Sequence, residues 1–178
     1  MTTEPVAKNV VNGIDMDALN ESMAEVAQND AARKGAKSSR IRWDGGLKLK
    51  CHVRNHTFMV DEPPHFAADD TAPNAVEYVV AAIGACYATG MILGASKQGI
   101  KLRNLEISVE TTQDNVFKFL GLDDEGHPGF DSVKVKAYVQ ADADEEAIRR
   151  LWERTIETSP VGNTISRGAP LESEISIL

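Results

Sequence analysis

The sequence predicts an α+β domain in which antiparallel strands are separated by two long helices. Apolar and polar residues alternate at 47–54, 102–112 and 132–140, which is typical of strands with one buried face. A 17-residue apolar stretch at 79–95 indicates a core helix. Apolar residues recur at helical spacing over 148–156, which indicates a second helix. Strands grouped around two helices in this way favour the α+β class.

Composition limits the location and the partners of the chain. Its 178 residues suit one domain with a short appendage. A net charge of −8 argues against nucleic acid and against an anionic membrane surface as partners. The two cysteines, Cys51 and Cys86, are too few for a disulfide framework or a four-cysteine zinc site. The N-terminal residues lack the apolar core of a signal peptide, so a reducing, cytoplasmic location is expected.

The N-terminal region predicts one amphipathic helix. Residues 1–12 are expected to be loose, and from Asp15 apolar residues recur every three or four positions. The helix is therefore expected to begin at an Asp15 cap and to end near Gly35. This pattern predicts an N-terminal extension over residues 1–36 and a main domain over residues 37–178.

The first half of the main domain predicts two or three strands and then the long helix. The strand around 47–53 is followed by a second strand at 56–63, which closes a hairpin. A loop rich in proline and aspartate leads to a helix over 74–98, with Asn74 as its cap and Gly99 as its end. Its apolar stretch spans roughly 25 Å, at about 1.5 Å per residue, which is short of a membrane core. A buried core helix is therefore predicted.

The second half predicts two strands, a helix, a short helical turn and a final strand. The strands cover 102–112 and 132–140 and are joined by a turn. The acidic residues of 142–146 mark the start of the helix. Ser159, followed by a proline, is expected to cap a short helical turn. The segment 172–178 is expected to be a strand.

Three histidines near Cys51 offer a spacing that suits a metal site. They are His52, His56 and His65. On a strand, adjacent residues point to opposite faces, so Cys51 and His52 cannot share a metal without distortion. No metal site is therefore expected, and nothing in the sequence requires a cofactor. Cys51 itself is expected to act as a small core hydrophobe.

Cys86 lies midway along the apolar helix, among small residues. A thiol on a buried helix is more often inert than reactive, and burial alone does not ionise it. Reactivity would require a nearby cation, and an arginine supplies positive charge without losing its proton. The residues alone leave both interpretations open.

Three stretches together resemble the OsmC/Ohr family of osmotically inducible and organic-hydroperoxide-resistance proteins. The run 73–110 is similar to the family's central helix, which follows the pattern P-x-E-L-L-x-A-A-x-G-x-C. The run 43–63 resembles its first hairpin, and 130–165 resembles the late strand and helix that lead to the family's Cys-Pro-Val. The residues that echo the helix pattern are Pro73, Glu77, Ala81, Ala82, Gly84 and Cys86.

The resemblance implies a fold, a partner and an activity. Antiparallel sheets would wrap around the long central helix in an intertwined homodimer. The implied activity is thiol-dependent reduction of organic hydroperoxides, with Cys86 as the peroxidatic residue. Ser159 occupies the position of the resolving cysteine. Because a hydroxyl cannot form a disulfide, an external thiol, or less favourably Cys51, would have to resolve the oxidised Cys86.

The resemblance also implies an arginine and a glutamate beside the cysteine. Arg42 and Arg54 are candidates for the arginine, and neither can be placed from sequence. Glu77 is near the family's acid, but Glu77 and Cys86 are nine residues apart and would lie roughly 13 Å apart along a helix, on opposite sides. Either the site combines two chains or Glu77 merely favours the helix N-terminus.

Two other functions stay open beside the peroxidase. One is a non-catalytic dimer of the same fold that binds a small apolar or thiol-reactive ligand. The other is a stress-response partner that uses the N-terminal helix as an interaction surface.

Overall fold

The computed structural model describes residues 9–177, which form two compact units. The first unit runs up to Ala81 and the second begins at Ala82, so the boundary lies within the long helix. The sequence-based division at residues 36 and 37 stays a prediction.

The N-terminal region differs from its prediction in two places. Strands β1 (Val10–Val11) and β2 (Ile14–Asp15) form a small antiparallel hairpin, so residues 10 and 11 are not loose. Residues 1–8 lie outside the described range. Helix α1 (Met16–Ala27) begins at the predicted cap, since the Asp15 side chain accepts from the Ala18 amide at 3.1 Å.

Helix α1 ends at Ala27, before the predicted end near Gly35. The Asn29 side chain accepts from the Ala31 amide at 3.1 Å and starts a separate 3₁₀ turn over Asp30–Arg33. A side chain that bonds its own backbone in this way competes with continuation of the helix.

The first unit also contains a three-stranded antiparallel sheet. Its strands are β3 (Arg40–Trp43), β4 (Leu49–Val53) and β5 (His56–Val60), and β4 lies in the centre. Cys51 pairs with Ile41 on one side and Phe58 on the other, and it is 5% exposed. Its environment is that of a core side chain.

A buried aspartate organises the loop between β5 and the long helix. The Asp61 carboxylate accepts from the backbone amide and the hydroxyl of Thr71, at 2.9 and 2.7 Å, and from the Glu62 amide. These bonds, of which the two from Thr71 contribute most, lower the pKa of Asp61. The ionised carboxylate therefore joins the two ends of this loop, at Asp61 and Thr71.

Helix α2 (Ala75–Lys97) confirms the predicted long helix. The Asn74 side chain accepts from the Glu77 amide at 2.9 Å, as expected for the cap. At the other end Gly99 has φ +71°, and the Ile100 amide donates to the Ala95 carbonyl at 2.9 Å, which closes the helix.

The burial of α2 is lower than predicted. In its most apolar 18-residue window, 28% of residues are buried. Length and a mean hydropathy of 1.7 also satisfy the criterion for a membrane-spanning helix, which the core helices of soluble proteins satisfy as well. The sequence pattern reported apolarity, whereas burial depends on what covers the helix.

The second unit pairs β6 (Leu102–Gln113) with β7 (Phe130–Ala141) in a long antiparallel ribbon. A short helix, α3 (Val116–Phe119), lies in the connection. Helices α4 (Glu145–Thr158) and α5 (Pro160–Arg167) follow. Asp144, within the predicted acidic start, caps α4, and Ser159 caps α5 as predicted. The core cluster consists of Met91, Ala95, Ile100 and Leu151.

The predicted final strand is not formed. Residues 168–177 carry no strand, and Leu171, Ile175 and Ile177 are 98%, 84% and 90% exposed. The alternating pattern is present, but a strand also needs a neighbour that accepts its backbone hydrogen bonds. Leu178 lies outside the described residues.

Candidate active site

A groove of about 660 Å³ lies between α2 and α4 in the second unit. Glycines on α2 allow the two helices to approach closely. A Cβ added at Gly90 would lie 2.8 Å from the Thr155 methyl carbon, and one at Gly94 would collide with the Leu151 side chain. The lining side chains are mostly small or apolar. Two segments, 85–97 and 151–160, form the groove; Cys86 lies near the start of the first and Ser159 near the end of the second.

Cys86 and Ser159 are in direct contact. The Ser159 hydroxyl donates to the Cys86 sulfur, with Oγ and Sγ 3.2 Å apart. Ser159 is 4% exposed, whereas Cys86 is half-buried. The contact joins residues that are 73 positions apart in sequence.

The turn between α4 and α5 fixes the direction of the Ser159 side chain. Ser159 has extended ψ of 117° and is followed by Pro160 at the first position of α5. Its Oγ accepts from the Gly162 amide at 3.1 Å, which caps α5. The Asn163 amide group donates to the Ser159 and Glu157 carbonyls, at 2.8 and 3.0 Å. One hydroxyl therefore serves both a helix cap and the sulfur.

An arginine that sequence analysis missed lines the same groove. Arg154 projects from α4, and its Nη1 lies 2.6 Å from Glu157 Oε2. Both side chains are 68% exposed, so the pair is open to solvent. Lys97, from the last turn of α2, lines the groove as well. The sequence feature that could have indicated Arg154 is its place on the helix that immediately precedes Ser159.

The candidate arginines from the first hairpin lie in the first unit. Arg42 is on β3 opposite Lys50, and Arg54 has φ +53° at the turn between β4 and β5. Their roles beside Cys86 stay predictions.

Glu77 has a defined structural partner. Its carboxylate accepts from the Asn74 amide at 2.8 Å, while the Asn74 side chain accepts from the Glu77 amide. This reciprocal arrangement is a capping box, and it accounts for a glutamate at this position. A catalytic role for Glu77 stays a prediction.

His52, which follows Cys51 in the sequence, lies beside a hydroxyl group. His52 Nδ1 lies 3.3 Å from Thr57 Oγ1 on the adjacent strand. Within residues 9–177, no group of three His, Cys, Asp or Glu side chains is placed to hold a metal ion.

The model of the OsmC-like protein family matches residues 68–174, which is more than half of the chain. The chain belongs to the OsmC-like family. The matched range includes Cys86, Arg154 and Ser159, so the whole groove lies within the family region. The resemblance found in the sequence is therefore confirmed, and no curated protein sequence matches the chain.

Solved structures of OsmC-like proteins share this fold. The Mycoplasma pneumoniae OsmC-like protein is 13% identical with a TM-score of 0.63, over 75% of this chain and 89% of its own. An organic hydroperoxide resistance protein OsmC from Legionella pneumophila is 18% identical with a TM-score of 0.55, over 75% and 90%. A Vibrio cholerae protein described as an organic hydroperoxide resistance protein, with captopril in one active site, is 15% identical with a TM-score of 0.53, over 75% and 85%.

Proposed function

We propose that this OsmC-like protein is a thiol-dependent organic hydroperoxide reductase that reacts through one cysteine, Cys86. The contact between the Cys86 sulfur and the Ser159 hydroxyl, at 3.2 Å beside an open groove, carries this proposal. The family assignment supports the reaction class, as does the similarity to the organic hydroperoxide resistance protein of Legionella pneumophila.

The proposed reaction begins at the sulfur. The Cys86 thiolate attacks the terminal oxygen of the hydroperoxide, the O–O bond breaks, and the alkoxide leaves as an alcohol after taking a proton. Cys86 becomes a sulfenic acid. The half-buried position of the sulfur and the mostly apolar groove suit an organic hydroperoxide better than hydrogen peroxide.

Ser159 determines how the oxidised enzyme recovers. Its hydroxyl cannot replace the sulfenic oxygen to form a disulfide, so an external thiol must do so. The first external thiol forms a mixed disulfide with Cys86 and releases water, and a second thiol displaces it and restores the Cys86 thiol. The sulfenic acid therefore persists until an external thiol enters the groove.

Arg154 is the proposed source of positive charge in the groove. Arg154 lines the groove and belongs to the helix that Ser159 follows. Arg42, Arg54 and Glu77 remain candidates for completing the site from a second chain, as the family resemblance implies.

A direct test follows the loss of cumene hydroperoxide with dithiothreitol as the reductant. We expect Cys86→Ser to lower the rate at least 100-fold, because the nucleophile is removed. Cys51→Ala is the matched control, since it removes the other thiol and should retain turnover. Trapping by dimedone should label Cys86 alone. Equal rates for the wild type and Cys86→Ser would exclude the proposed reaction.

A second candidate function is binding without catalysis. The hydroxyl at Ser159 favours it, because the position next to Cys86 holds no thiol. The groove is large enough for a small molecule, and captopril occupies an active site in the Vibrio cholerae relative. Tight binding of a hydroperoxide analogue together with no peroxide turnover would favour this function over the first.

We also propose that the protein is a cytoplasmic homodimer. The low burial of α2 and the exposed apolar C-terminal residues support a second copy as the missing cover. Light scattering after gel filtration should give twice the chain mass of 19.3 kDa. A mass of 19.3 kDa at micromolar concentration would contradict the dimer.

A further inference from the structure

We propose that the groove beside Cys86 selects a carboxylate-bearing thiol as the external reductant. This inference rests on the proposed function, because it names the class of thiol that resolves the oxidised Cys86. It is carried by the charges that line the groove.

Both of the charged side chains that line the groove are cationic. Of the thirteen residues that line it, two are charged, and these are Lys97 and Arg154. The carboxylate that pairs with Arg154, on Glu157, does not line the groove. Arginine has five N–H donors, so one hydrogen-bonded carboxylate leaves others available for a ligand. Because this ion pair is solvent-exposed, an incoming carboxylate can share the guanidinium at small cost.

The two cations lie at different positions along the helices that form the groove. Arg154 is five residues before Ser159, the residue that follows α4, which is about 7.5 Å along the helix axis. Lys97 is eleven residues after Cys86 on α2, about 16 Å along the axis. A short carboxylated thiol would meet Arg154, and a longer one, such as an anionic tripeptide thiol, would extend toward Lys97.

The rest of the molecule opposes this preference. With a net charge of −8, the protein as a whole repels anions and attracts cations. A faster reaction of Cys86 with an anion than with a cation would therefore report the groove and not the bulk charge.

Thiol–disulfide exchange tests the selection without peroxide. The reduced Cys86 thiolate attacks a symmetrical disulfide, one half becomes a mixed disulfide on Cys86, and the other half leaves as a thiolate. The probes are 3,3′-dithiodipropionate, which is anionic, 2-hydroxyethyl disulfide, which is neutral, and cystamine, which is cationic. Mass spectrometry measures each rate, and each is divided by the rate with free 2-mercaptoethanol.

We expect the anionic probe to exceed the cationic probe by about threefold or more at low salt, and the preference to fade at 0.5 M salt. Arg154→Gln should abolish the preference, whereas Glu157→Gln should strengthen it by freeing the guanidinium. Arg150→Gln is the matched control. Arg150 is on the same helix, is paired with Glu146 and does not line the groove. Lys97→Gln should slow oxidised glutathione more than dithiodipropionate.

The outcomes separate the two proposals. If the charge preference vanishes in Arg154→Gln and the wild-type protein does not turn over peroxide, the selection of anionic thiols is supported and the peroxidase proposal is refuted. Peroxide turnover with equal relative rates for the three probes refutes the selection and leaves the peroxidase. Should Arg154→Gln fail to fold, an unchanged preference in Glu157→Gln also overturns the selection.

Discussion

Replacing Ser159 by cysteine should convert the one-cysteine site into a disulfide-forming pair. The Ser159 Oγ already lies 3.2 Å from the Cys86 sulfur, and a C–S bond is longer than a C–O bond, so the new sulfur is carried toward its partner. Mild oxidation of Ser159→Cys should therefore form an 86–159 disulfide. The reaction should be intramolecular and independent of protein concentration.

Two opposing effects set the stability of this variant. Cysteine is a weak acceptor, so the cap to the Gly162 amide is lost, at a cost of about 1 kcal/mol. The disulfide closes a loop of 73 residues, which in the chain-entropy account stabilises the fold by roughly 4 kcal/mol. For a chain of 178 residues, 1 kcal/mol corresponds to about 3 °C in Tm. The reduced variant should melt about 3 °C below the wild type and the oxidised variant about 9 °C above it.

Calorimetry of the reduced and oxidised forms measures both shifts, and thiol titration counts the free cysteines. Ser166→Cys is the control, because Ser166 lies on the exposed side of α5 and its thiol should stay free. The oxidised variant should also turn over peroxide with a dithiol reductant and show no dimedone adduct. A pair of free thiols after oxidation, or a lower Tm on bond formation, would refute the geometry of the site.

Two further changes test the packing within each unit of the fold. Thr71→Val removes the 2.7 Å hydroxyl bond to the buried Asp61, so urea unfolding should show lower stability than the wild type at pH 7. The pKa of Asp61 is lowered in the folded protein, so its hydrogen bonds stabilise the fold above the unfolded pKa of about 4. The difference in unfolding free energy between the variant and the wild type should therefore shrink as pH falls below that value. Gly90→Ala places a Cβ 2.8 Å from the Thr155 methyl carbon. We therefore expect the free energy of unfolding to fall by up to about 2 kcal/mol, although alanine favours a helix. A stabilised variant would contradict the close approach of α2 and α4.

The elements that sequence predicted best are those whose signals are local. Four helix starts each depend on a side chain that accepts from the amide three residues ahead, and they are at Asp15, Asn74, Asp144 and Ser159. Such signals act within one turn and need no knowledge of the fold. The prediction of a final strand at 172–178 was wrong because a strand does not depend on local signals alone. An alternating pattern fixes which faces are apolar, but the hydrogen bonds of a strand come from elsewhere.

The site residues were likewise hard to predict where they depend on contacts between distant parts of the sequence. No local pattern joins Cys86 to Ser159, and the family resemblance alone indicated that they meet. Arg154 was missed because α4 carries arginines with glutamates three or four residues away, which is typical of a solvated helix face. Only the packing of α4 against α2 distinguishes Arg154, which lines the groove, from Arg150, which does not.

Position 159 can serve a helix cap or a resolving thiol, but one side chain does not serve both well. The serine hydroxyl accepts from the Gly162 amide and donates to the Cys86 sulfur at the same time. A cysteine would lose most of the cap, because sulfur is a weak acceptor, and would gain the disulfide. Serine therefore stabilises the start of α5 and, in the proposed cycle, leaves a sulfenic acid on Cys86 without a thiol beside it. The lifetime of that proposed intermediate would then depend on how fast an external thiol reaches the groove, and the charges that line the groove would become part of the kinetics of the cycle.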